Sequence, residues 1–115
     1  MCSYNKINGV YSCQNKVELG HLRQMGFDGF IMSDWGATHS VHDIEDGLDQ
    51  DMHFDHDFWD NKSLKTLDPH LIDQAVYRIL KSMIVTGVMD DKTRGNITAN
   101  VTSKEHKDIA LKVNE

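Results

Sequence analysis

The sequence predicts an α/β fold, and three observations support this prediction. Phe30-Ile31-Met32 is a short unbroken apolar run, which is typical of a strand buried on both faces of a parallel sheet. The polar stretch from Ser33 to Gly36 follows at once, at the carboxyl end of that strand. A strongly amphipathic helix with its own start and stop signals lies further along, at residues 68–87. Strand, loop and helix in this succession are the units of α/β proteins.

The amino-terminal part of the chain predicts a turn and a helix before the strand, and a second helix after it. Asn8-Gly9 is a dipeptide that favours a tight turn. The stretch from Lys16 to Gln24 has a helical pattern, which Gly20 weakens. After the strand, Val41 to Leu48 is a short candidate helix with its apolar residues on one side.

The carboxyl-terminal part begins with a predicted loop and continues with the clearest helix. His53 to Lys65 is aromatic and acidic, and we interpret it as a loop. Asp68 suits the N-cap, Pro69 the first helical position and Gly87 the end of the following helix. The apolar residues of this helix recur at helical spacing: Leu71, Ile72, Ala75, Val76, Ile79, Leu80 and Met83.

A polar linker at residues 90–101 separates this helix from a last one. Thr102 and Glu105 match a capping box, which marks a helix start. The apolar residues that share a face of this last helix are Ile109, Ala110 and Val113.

Chain length makes the predicted fold more specific. In a (β/α)8 barrel of the TIM type, catalytic residues lie at the carboxyl ends of several strands, and a whole barrel takes ~250 residues. The chain has 115 residues. We therefore expect an incomplete TIM-type barrel fragment whose remaining strands lie outside this sequence.

The composition is that of a globular protein and narrows the range of partners. Hydrophobic residues make up 39% of the chain and charged residues 26%. The formal net charge of -6 argues against a nucleic acid or an anionic membrane as partner, because both bind through Lys and Arg. No apolar run reaches the ~18 residues that predict a transmembrane helix. No signal-peptide pattern is present, and we expect any signal to lie upstream.

Two cysteines and three glycosylation sequons bear on the cellular compartment. Cys2 and Cys13 form no C-x-x-C pair, which argues against a structural zinc site. The turn at Asn8-Gly9 allows them to form a disulfide, and two free buried thiols are the alternative. The sequons begin at Asn61, Asn96 and Asn100. Together these features favour a secreted, lysosomal or vacuolar protein.

Five stretches, taken in order along the chain, form a recognisable pattern. They are MCSYNKINGVYSCQN, GFDGFIMSDWGATHS, GLDQDM, LIDQAVYRIL and SKEHKDIA. The pattern resembles the family 3 glycoside hydrolases, which are β-glucosidase-like enzymes. The first three stretches are similar to the later strands of the catalytic barrel, and the fourth to its last helix. The resemblance implies that residues 1–90 are the carboxyl-terminal portion of that barrel, and that residues 91–115 lead to a second domain.

The resemblance assigns a catalytic role to one aspartate. In this family the aspartate that precedes the tryptophan of the Ser-Asp-Trp triplet attacks the anomeric carbon, and here that residue is Asp34. A retaining glycosidase forms a covalent glycosyl-enzyme on one carboxylate while a second carboxyl group protonates the leaving oxygen. By its position alone, Asp34 could equally be a turn or N-cap residue after the strand.

Three further residues match positions that line the sugar site of the family. Trp35 offers a flat apolar face to a pyranose ring. Tyr4 can donate a hydrogen bond to the nucleophile or to the sugar, and Met1 lines the same site by resemblance only. Packing within the core is the alternative role for Trp35 and Tyr4.

The sequence departs from the family pattern in places. His53 stands where the family has a proline after the methionine, and the segment before Gly26 is slightly shorter. The Lys-His sugar-binding motif is expected upstream, in the missing half of the barrel. The acid/base glutamate is expected in a domain beyond Glu115. These differences affect loop geometry and therefore substrate choice, and no cofactor is implied.

The sequence is also compatible with three other functions. His53, Asp55, His56 and Asp57 form a His/Asp cluster, to which His39 and His42 are near in sequence, but no H-E-x-x-H zinc motif is present. A catalytically inactive carbohydrate-binding remnant is the second alternative. The third is a different substrate, since β-xylosidases and β-N-acetylhexosaminidases share the barrel. We expect a β-glucoside or oligosaccharide substrate and no bound metal.

Overall fold

A computed structural model of the protein describes residues 1–53, 58–90 and 95–114. The described chain contains a two-stranded antiparallel sheet, a 3-10 helix and five α-helices. In order they are β1 Lys6–Ile7, β2 Val10–Tyr11, the 3-10 helix Ser12–Gln14, α1 Lys16–Gln24, α2 Asp43–Asp46, α3 Asn61–Leu64, α4 Pro69–Val85 and α5 Lys104–Asn114.

The turn predicted at Asn8-Gly9 is confirmed. β1 and β2 pair antiparallel, with Ile7 opposite Val10, and the two turn residues both have positive φ, 52° and 84°. Two successive left-handed residues match the twist of a hairpin, and Asn followed by Gly adopts them at low cost. The hairpin brings the first segment of the chain back on itself.

Three segments of the chain run parallel and side by side. The Cys2 N–H donates to the Met32 carbonyl and the Asp34 N–H donates to the Cys2 carbonyl, both at 2.9 Å. On the other side, the Ser33 N–H donates to the Gln50 carbonyl at 3.0 Å. The middle segment is the predicted apolar run. Its pairing is parallel as expected, but each pairing is a single bridge and not a continuous strand.

Burial of the middle segment is one-sided. Ile31 and Ser33 are almost fully buried, whereas Phe30 and Met32 are only partly covered. Side chains alternate between the two faces of an extended segment. The helices of the described chain therefore cover one face, and the prediction of burial on both faces is wrong for Phe30 and Met32. The described chain is rich in helix and has few strands, and the α/β class and the (β/α)8 barrel stay predictions.

Two apolar clusters stabilise this arrangement. The first surrounds the covered face of the parallel segments, and the second lies between α2, α3 and α4. The side chain of Trp59 packs against both clusters, and its indole N–H donates to the Ser40 carbonyl at 3.2 Å. The buried members are Cys2, Cys13, Leu19, Ile31, Ala37 and Leu48 in the first, and Ile44, Leu67 and Ala75 in the second.

The two longer predicted helices are confirmed. α1 occupies the predicted range, and the Asn15 side chain caps it by accepting the Glu18 N–H at 3.1 Å. α4 begins after Asp68, whose carboxylate accepts the His70 N–H at 3.0 Å. Gly87, with a φ of 77°, lies just past its end. Capping residues thus fixed both boundaries of α4 in the sequence.

Three predictions about the shorter helices and the last helix are wrong. α2 is only four residues long, because Gly47 takes a left-handed conformation that ends it. α3 lies within the predicted loop, since Asp60 caps it through the Ser63 N–H at 2.6 Å. α5 begins after Ser103, whose hydroxyl accepts the His106 N–H at 3.3 Å, and not after Thr102.

The apolar sides of α4 and α5 are largely exposed. α5 has no buried residue within its described part, and α4 has one, Ala75. The Cα radius of gyration is 18.1 Å, against about 13 Å for a compact domain of this length. The exposed apolar residues of these helices are Val76, Tyr77, Leu80, Ile84, Val85, Ile109, Leu111 and Val113.

Candidate active site

Asp34 lies directly after the middle parallel segment. Its backbone N–H is the last to pair with the Cys2 segment, so the side chain stands at the carboxyl end of two neighbouring segments. Its Oδ1 accepts the Trp35 N–H at 2.8 Å, and its carbonyl accepts the Ala37 N–H at 3.1 Å, which closes a tight turn. The carboxylate is half-buried. A polar acid at a strand end, fixed by a turn, matches the position predicted for a nucleophile.

Tyr4 is brought to Asp34, as the sequence analysis expected. Its hydroxyl lies close enough to the Asp34 carboxylate for the two groups to interact. Loss of solvation raises the pKa of Tyr4, and the interaction with the charged Asp34 carboxylate raises it further. Tyr4 therefore stays protonated, and remains a donor, throughout the neutral range. The Cys2 segment and the middle segment thus meet at this pair of side chains.

Trp35 and Met1 differ in their position in the chain relative to Asp34 and Tyr4. Trp35 follows Asp34 in the turn and exposes 59% of its surface. Met1 lies at the opposite end of its segment from Tyr4 and is 71% exposed. The assignment of both residues to the sugar site stays a prediction.

A second carboxylate, Asp51, is hydrogen-bonded to residues on both sides of the turn that contains Asp34. Asp51 Oδ1 accepts hydrogen bonds from the hydroxyls of Ser33, at 3.3 Å, and Thr38. The Ser33 hydroxyl in turn accepts the Met52 N–H at 2.7 Å. Ser33 and Thr38 flank the turn on both sides, so Asp51 fixes where it begins and ends. The sequence analysis missed Asp51, since only the neighbouring segment places it here.

Asp49 is a buried acid of the same region, and it too was not predicted from the sequence. Its side chain is completely buried and binds two guanidinium groups, Arg23 and Arg78, each at 2.6 Å. Oδ2 also accepts the Ile31 N–H at 2.8 Å. Charge-assisted bonds of this kind are about twice as strong as neutral ones. Asp49 therefore anchors α1 and α4 to the segment that leads to Asp34.

Asp43 is a second buried acid. Its Oδ2 accepts the backbone N–H groups of His39 at 3.0 Å and Ser40 at 3.3 Å. Burial raises the pKa of Asp43, although these bonds and one from the Gln14 side chain act in the opposite direction. The loop that follows the Asp34 turn is thus held to α2 by a carboxyl group that ionises with difficulty.

The predicted disulfide is present in the structure. Cys2 and Cys13 are bonded, with a Cα–Cα distance of 5.2 Å, and the alternative of two free thiols is wrong. The bond links the segment that carries Tyr4 to the 3-10 helix beyond the hairpin. The disulfide therefore holds the segment that carries Tyr4 in place relative to the 3-10 helix.

A cavity of about 360 Å³ lies apart from this site. It opens between α4 and the third parallel segment, with Gln50, Asp51, Trp59 and Ile72 in its wall. Asp34 and Tyr4 are not among the residues that line it. The cavity and the predicted site residues Asp34 and Tyr4 are therefore separate places in the structure.

The other sequence-based possibilities can be compared with the described residues. Across residues 1–53, 58–90 and 95–114, no three His, Cys, Asp or Glu side chains are close enough to hold a metal ion. Asp55, His56 and Asp57 of the weighed His/Asp cluster lie outside the described residues. Of the helices in the described chain, none has the length and apolar character to cross a membrane.

Known proteins that are similar to the chain share one name. A β-glucosidase of Wickerhamomyces anomalus is 40% identical over 96 residues, which is 76% of the chain and 12% of that protein. β-Glucosidase 2 of Saccharomycopsis fibuligera is 31% identical over an alignment of 122 positions, 92% of the chain and 14% of its own length. The chain thus spans about an eighth of these relatives. No family model matches it.

Solved structures agree with the sequence comparison. The β-D-glucoside glucohydrolase of Trichoderma reesei matches 96% of the chain and 18% of its own chain, with a TM-score of 0.79 and 26% identity. The β-glucosidase of Kluyveromyces marxianus in complex with glucose matches 96% and 15%, with a TM-score of 0.78 and 25% identity. A Bifidobacterium adolescentis β-glucosidase of glycoside hydrolase family 3 shares the fold, covering 95% of the chain and 16% of its own at a TM-score of 0.64 and 23% identity.

Proposed function

Because the chain is a β-glucosidase-like segment of the family 3 glycoside hydrolases, we propose that it supplies the nucleophile of a retaining glycosidase. The proposed reaction is cleavage of terminal β-glucosidic bonds, through a covalent glycosyl-enzyme on Asp34. The observation that supports this role best is the placement of Asp34 at the carboxyl end of two parallel segments, with the Tyr4 hydroxyl close to its carboxylate.

The geometry around Asp34 suits nucleophilic attack. A carboxylate attacks the anomeric carbon only when it is ionised and held in one orientation. The Trp35 N–H donates to Asp34 Oδ1 at 2.8 Å, and the Tyr4 hydroxyl lies close to the same carboxylate. These two contacts would hold the carboxylate in one orientation.

A second carboxyl group is needed to protonate the leaving oxygen. In retaining glycosidases it lies about 5–5.5 Å from the nucleophile. The resemblance assigns this role to a glutamate of a downstream domain, and we propose that the parent protein provides it. By parent protein we mean the longest natural translation product that contains residues 1–115.

The parent protein is proposed to complete a (β/α)8 barrel. The three parallel segments at Cys2, Met32 and Gln50 would be three of its later strands, with α1 and α4 on the outer surface. Strands of such a barrel have partners on both edges. Residues 1–90 would then be barrel and residues 91–115 the connection to the next domain. The exposed apolar sides of α4 and α5 are consistent with further protein around them.

The compartment is proposed to be oxidising. The bond between Cys2 and Cys13 is of a kind that persists in secreted and vacuolar proteins and is rare in the cytosol. A β-glucoside or oligosaccharide outside the cytosol is the substrate class that fits both the disulfide and the relatives.

The assignment of Asp34 is tested in the parent protein with an aryl β-glucoside. Asp34→Asn is expected to reduce kcat/KM by at least ~10³-fold, because the covalent step loses its nucleophile. A 2-deoxy-2-fluoro glucoside, which traps the glycosyl-enzyme, is expected to label Asp34 in the wild-type protein. Asp28→Asn, at an exposed aspartate on the same chain, is the matched control. Label on a different carboxylate, or full activity of Asp34→Asn, would contradict the proposal.

A further inference from the structure

The three glycosylation sequons differ in local structure. Two of them, at Asn96 and Asn100, lie in the exposed segment between α4 and α5, and the third, at Asn61, forms the first residue of α3. Transfer of a glycan needs an asparagine amide that an enzyme can approach, with the hydroxyl of the residue two positions on close to it. These requirements can be compared directly in the structure.

Asn96 meets both requirements. Its Oδ1 accepts the Thr98 backbone N–H at 2.9 Å and the Thr98 hydroxyl at 2.7 Å. Both bonds use the amide oxygen, so neither occupies the amide nitrogen that would receive the sugar. They also draw electron density towards the oxygen, which polarises the amide. Ile97, between the two residues, is fully exposed, so the turn projects from the surface.

Asn100 has the same type of turn. Its Oδ1 accepts the Thr102 backbone N–H at 3.0 Å, and all three residues of the sequon are exposed. Such a turn forms between neighbours in the sequence, so it does not depend on tertiary contacts. It is therefore accessible to a modifying enzyme before, during and after folding.

Asn61 lacks this arrangement. The Ser63 N–H donates to the Asp60 carboxylate at 2.6 Å as the cap of α3, and the Ser63 side chain lies close enough to that carboxylate to help lower the pKa of Asp60. The backbone N–H that Asn61 would have to engage is therefore already bound by its neighbour. Its own backbone lies in the first turn of a helix. The sequence contains this sequon, but the Ser63 N–H of the sequon is already bound in the cap of α3.

We propose that Asn96 and Asn100 are N-glycosylated and that Asn61 is not. The sites would take an oligosaccharide from a polyprenyl diphosphate donor. The Asn Nδ2 forms a bond to C1 of the first sugar as the bond from C1 to the phosphate oxygen breaks. The diphosphate leaves with the electron pair, and one amide proton passes to a base of the transferase. The inference rests on the oxidising compartment proposed above, and it is independent of the role of Asp34.

In the test the parent protein is directed into the secretory pathway, so the result does not depend on the compartment in which the protein naturally occurs. The parent protein is produced behind a signal peptide in a eukaryotic secretory host. An amidase that converts each glycosylated Asn to Asp is then applied in ¹⁸O-water, and peptide masses identify the converted residues. Conversion at Asn96 and Asn100, with Asn61 unchanged, is the expected result.

Three variants make the test specific. Thr98→Val is expected to remove the glycan at Asn96 and leave the one at Asn100, and Thr102→Val is expected to do the reverse. Ser63→Ala, which removes the third sequon, is the matched control and should leave the glycan content of the protein unchanged. Conversion at Asn61, or absence of a glycan from either Asn96 or Asn100 in the wild-type protein, would overturn the inference.

Discussion

The Asp49 carboxylate binds the Arg78 guanidinium at 2.6 Å and so joins two residues that lie 29 positions apart. The other oxygen of the same carboxylate binds Arg23 and the Ile31 N–H. One buried acid therefore holds α1, α4 and the segment before Asp34 together. Such an acid is costly to bury alone, and its two partners offset that cost only while both are present.

We predict that Asp49→Ala destabilises the parent protein strongly. Removing one member of a buried ion pair typically costs about 3–5 kcal/mol, because the remaining charges are left uncompensated. Here two guanidinium groups and one backbone N–H lose their acceptor. Urea unfolding, followed by circular dichroism, measures the change in the free energy of unfolding.

The matched control for Asp49 is another aspartate with a basic partner. Asp28 pairs with Lys81 at the surface, where solvent screens the interaction, so Asp28→Ala is expected to leave the urea midpoint nearly unchanged. If the two variants unfolded at the same urea concentration, Asp49 would not have the structural role assigned to it.

The sequence predicted local elements better than it predicted this network. The boundaries of α1 and α4 follow from capping residues, whose effect acts within one turn of helix. Asp49 carries no such local signal. Its partners come from positions 26 and 29 residues away, and only the tertiary fold brings them together. Asp51 was missed for the same reason.

We predict that Tyr4→Phe in the parent protein lowers kcat on an aryl β-glucoside on the order of tenfold, the effect of losing one hydroxyl that interacts with a charged group. The pKa of Tyr4 is raised above its ordinary value, so the hydroxyl remains a donor at neutral pH. The advantage of the wild-type protein should therefore persist across neutral pH and disappear only in alkali. Tyr77→Phe, on the exposed side of α4, is the control. Equal rates for Tyr4→Phe and wild type at pH 7 would exclude this contribution.

We predict that the bond between Cys2 and Cys13 stabilises the parent protein by about 3 kcal/mol, the value expected for closure of a short loop. A reducing agent should lower the melting temperature of the wild-type protein. The double variant Cys2→Ala, Cys13→Ala should melt lower from the start and respond no further to the reducing agent. Two alkylatable thiols in the untreated protein would show that the bond is not formed.

We predict a pH dependence of stability that arises from Asp43. Burial raises the pKa of Asp43 in the folded state above its ordinary value. Between these two pKa values the folded state binds more protons than the unfolded state, so stability falls as pH rises through that range. Asp43→Asn keeps an acceptor for the His39 N–H and cannot ionise. Stability curves for both proteins against pH should therefore diverge in favour of the variant as pH rises.

Asp60→Asn serves as the control for Asp43→Asn, because the pH dependence expected from Asp60 has the opposite sign. The side chain and the backbone N–H of Ser63 lower the pKa of Asp60. Its contribution is present above the ordinary pKa and is lost as pH falls through the lowered folded value. Asp60→Asn should therefore differ from wild type least at low pH and most at neutral pH, with the variant less stable. Parallel curves for Asp43→Asn and wild type would contradict the assignment.

The candidate site shows a similar division between what was and was not predictable. Asp34 and Tyr4 came from the resemblance, and the structure brings them together across two parallel segments. Composition and periodicity alone could not have paired them, since the pairing depends on the register of Cys2 against Ser33. The start of α5 was misplaced by one residue, because Thr102 and Ser103 are both good capping residues and only the hydrogen bonds distinguish them.

We predict that the 115-residue chain, expressed alone, neither folds into a stable monomer nor hydrolyses an aryl β-glucoside. The parallel segments have backbone groups that need partners on both edges, and open edges favour aggregation. The apolar side of α4 exposes Tyr77 and Ile84, and α5 buries nothing within its described part. Size-exclusion chromatography and thermal melting by circular dichroism measure the fold. A cooperative melt from a monomer would contradict this half of the prediction.

Loss of activity in the isolated chain has a separate cause and is measured separately. Asp34 without an acid to protonate the leaving oxygen can form the glycosyl-enzyme only slowly, even with an activated aryl leaving group. The assay compares the chain with its own Asp34→Asn variant at equal protein concentration, so that any folding defect is shared. Turnover above that variant would show that a second catalytic carboxylate lies within residues 1–115. Equal and negligible rates are expected, because the proposed acid belongs to another part of the parent protein.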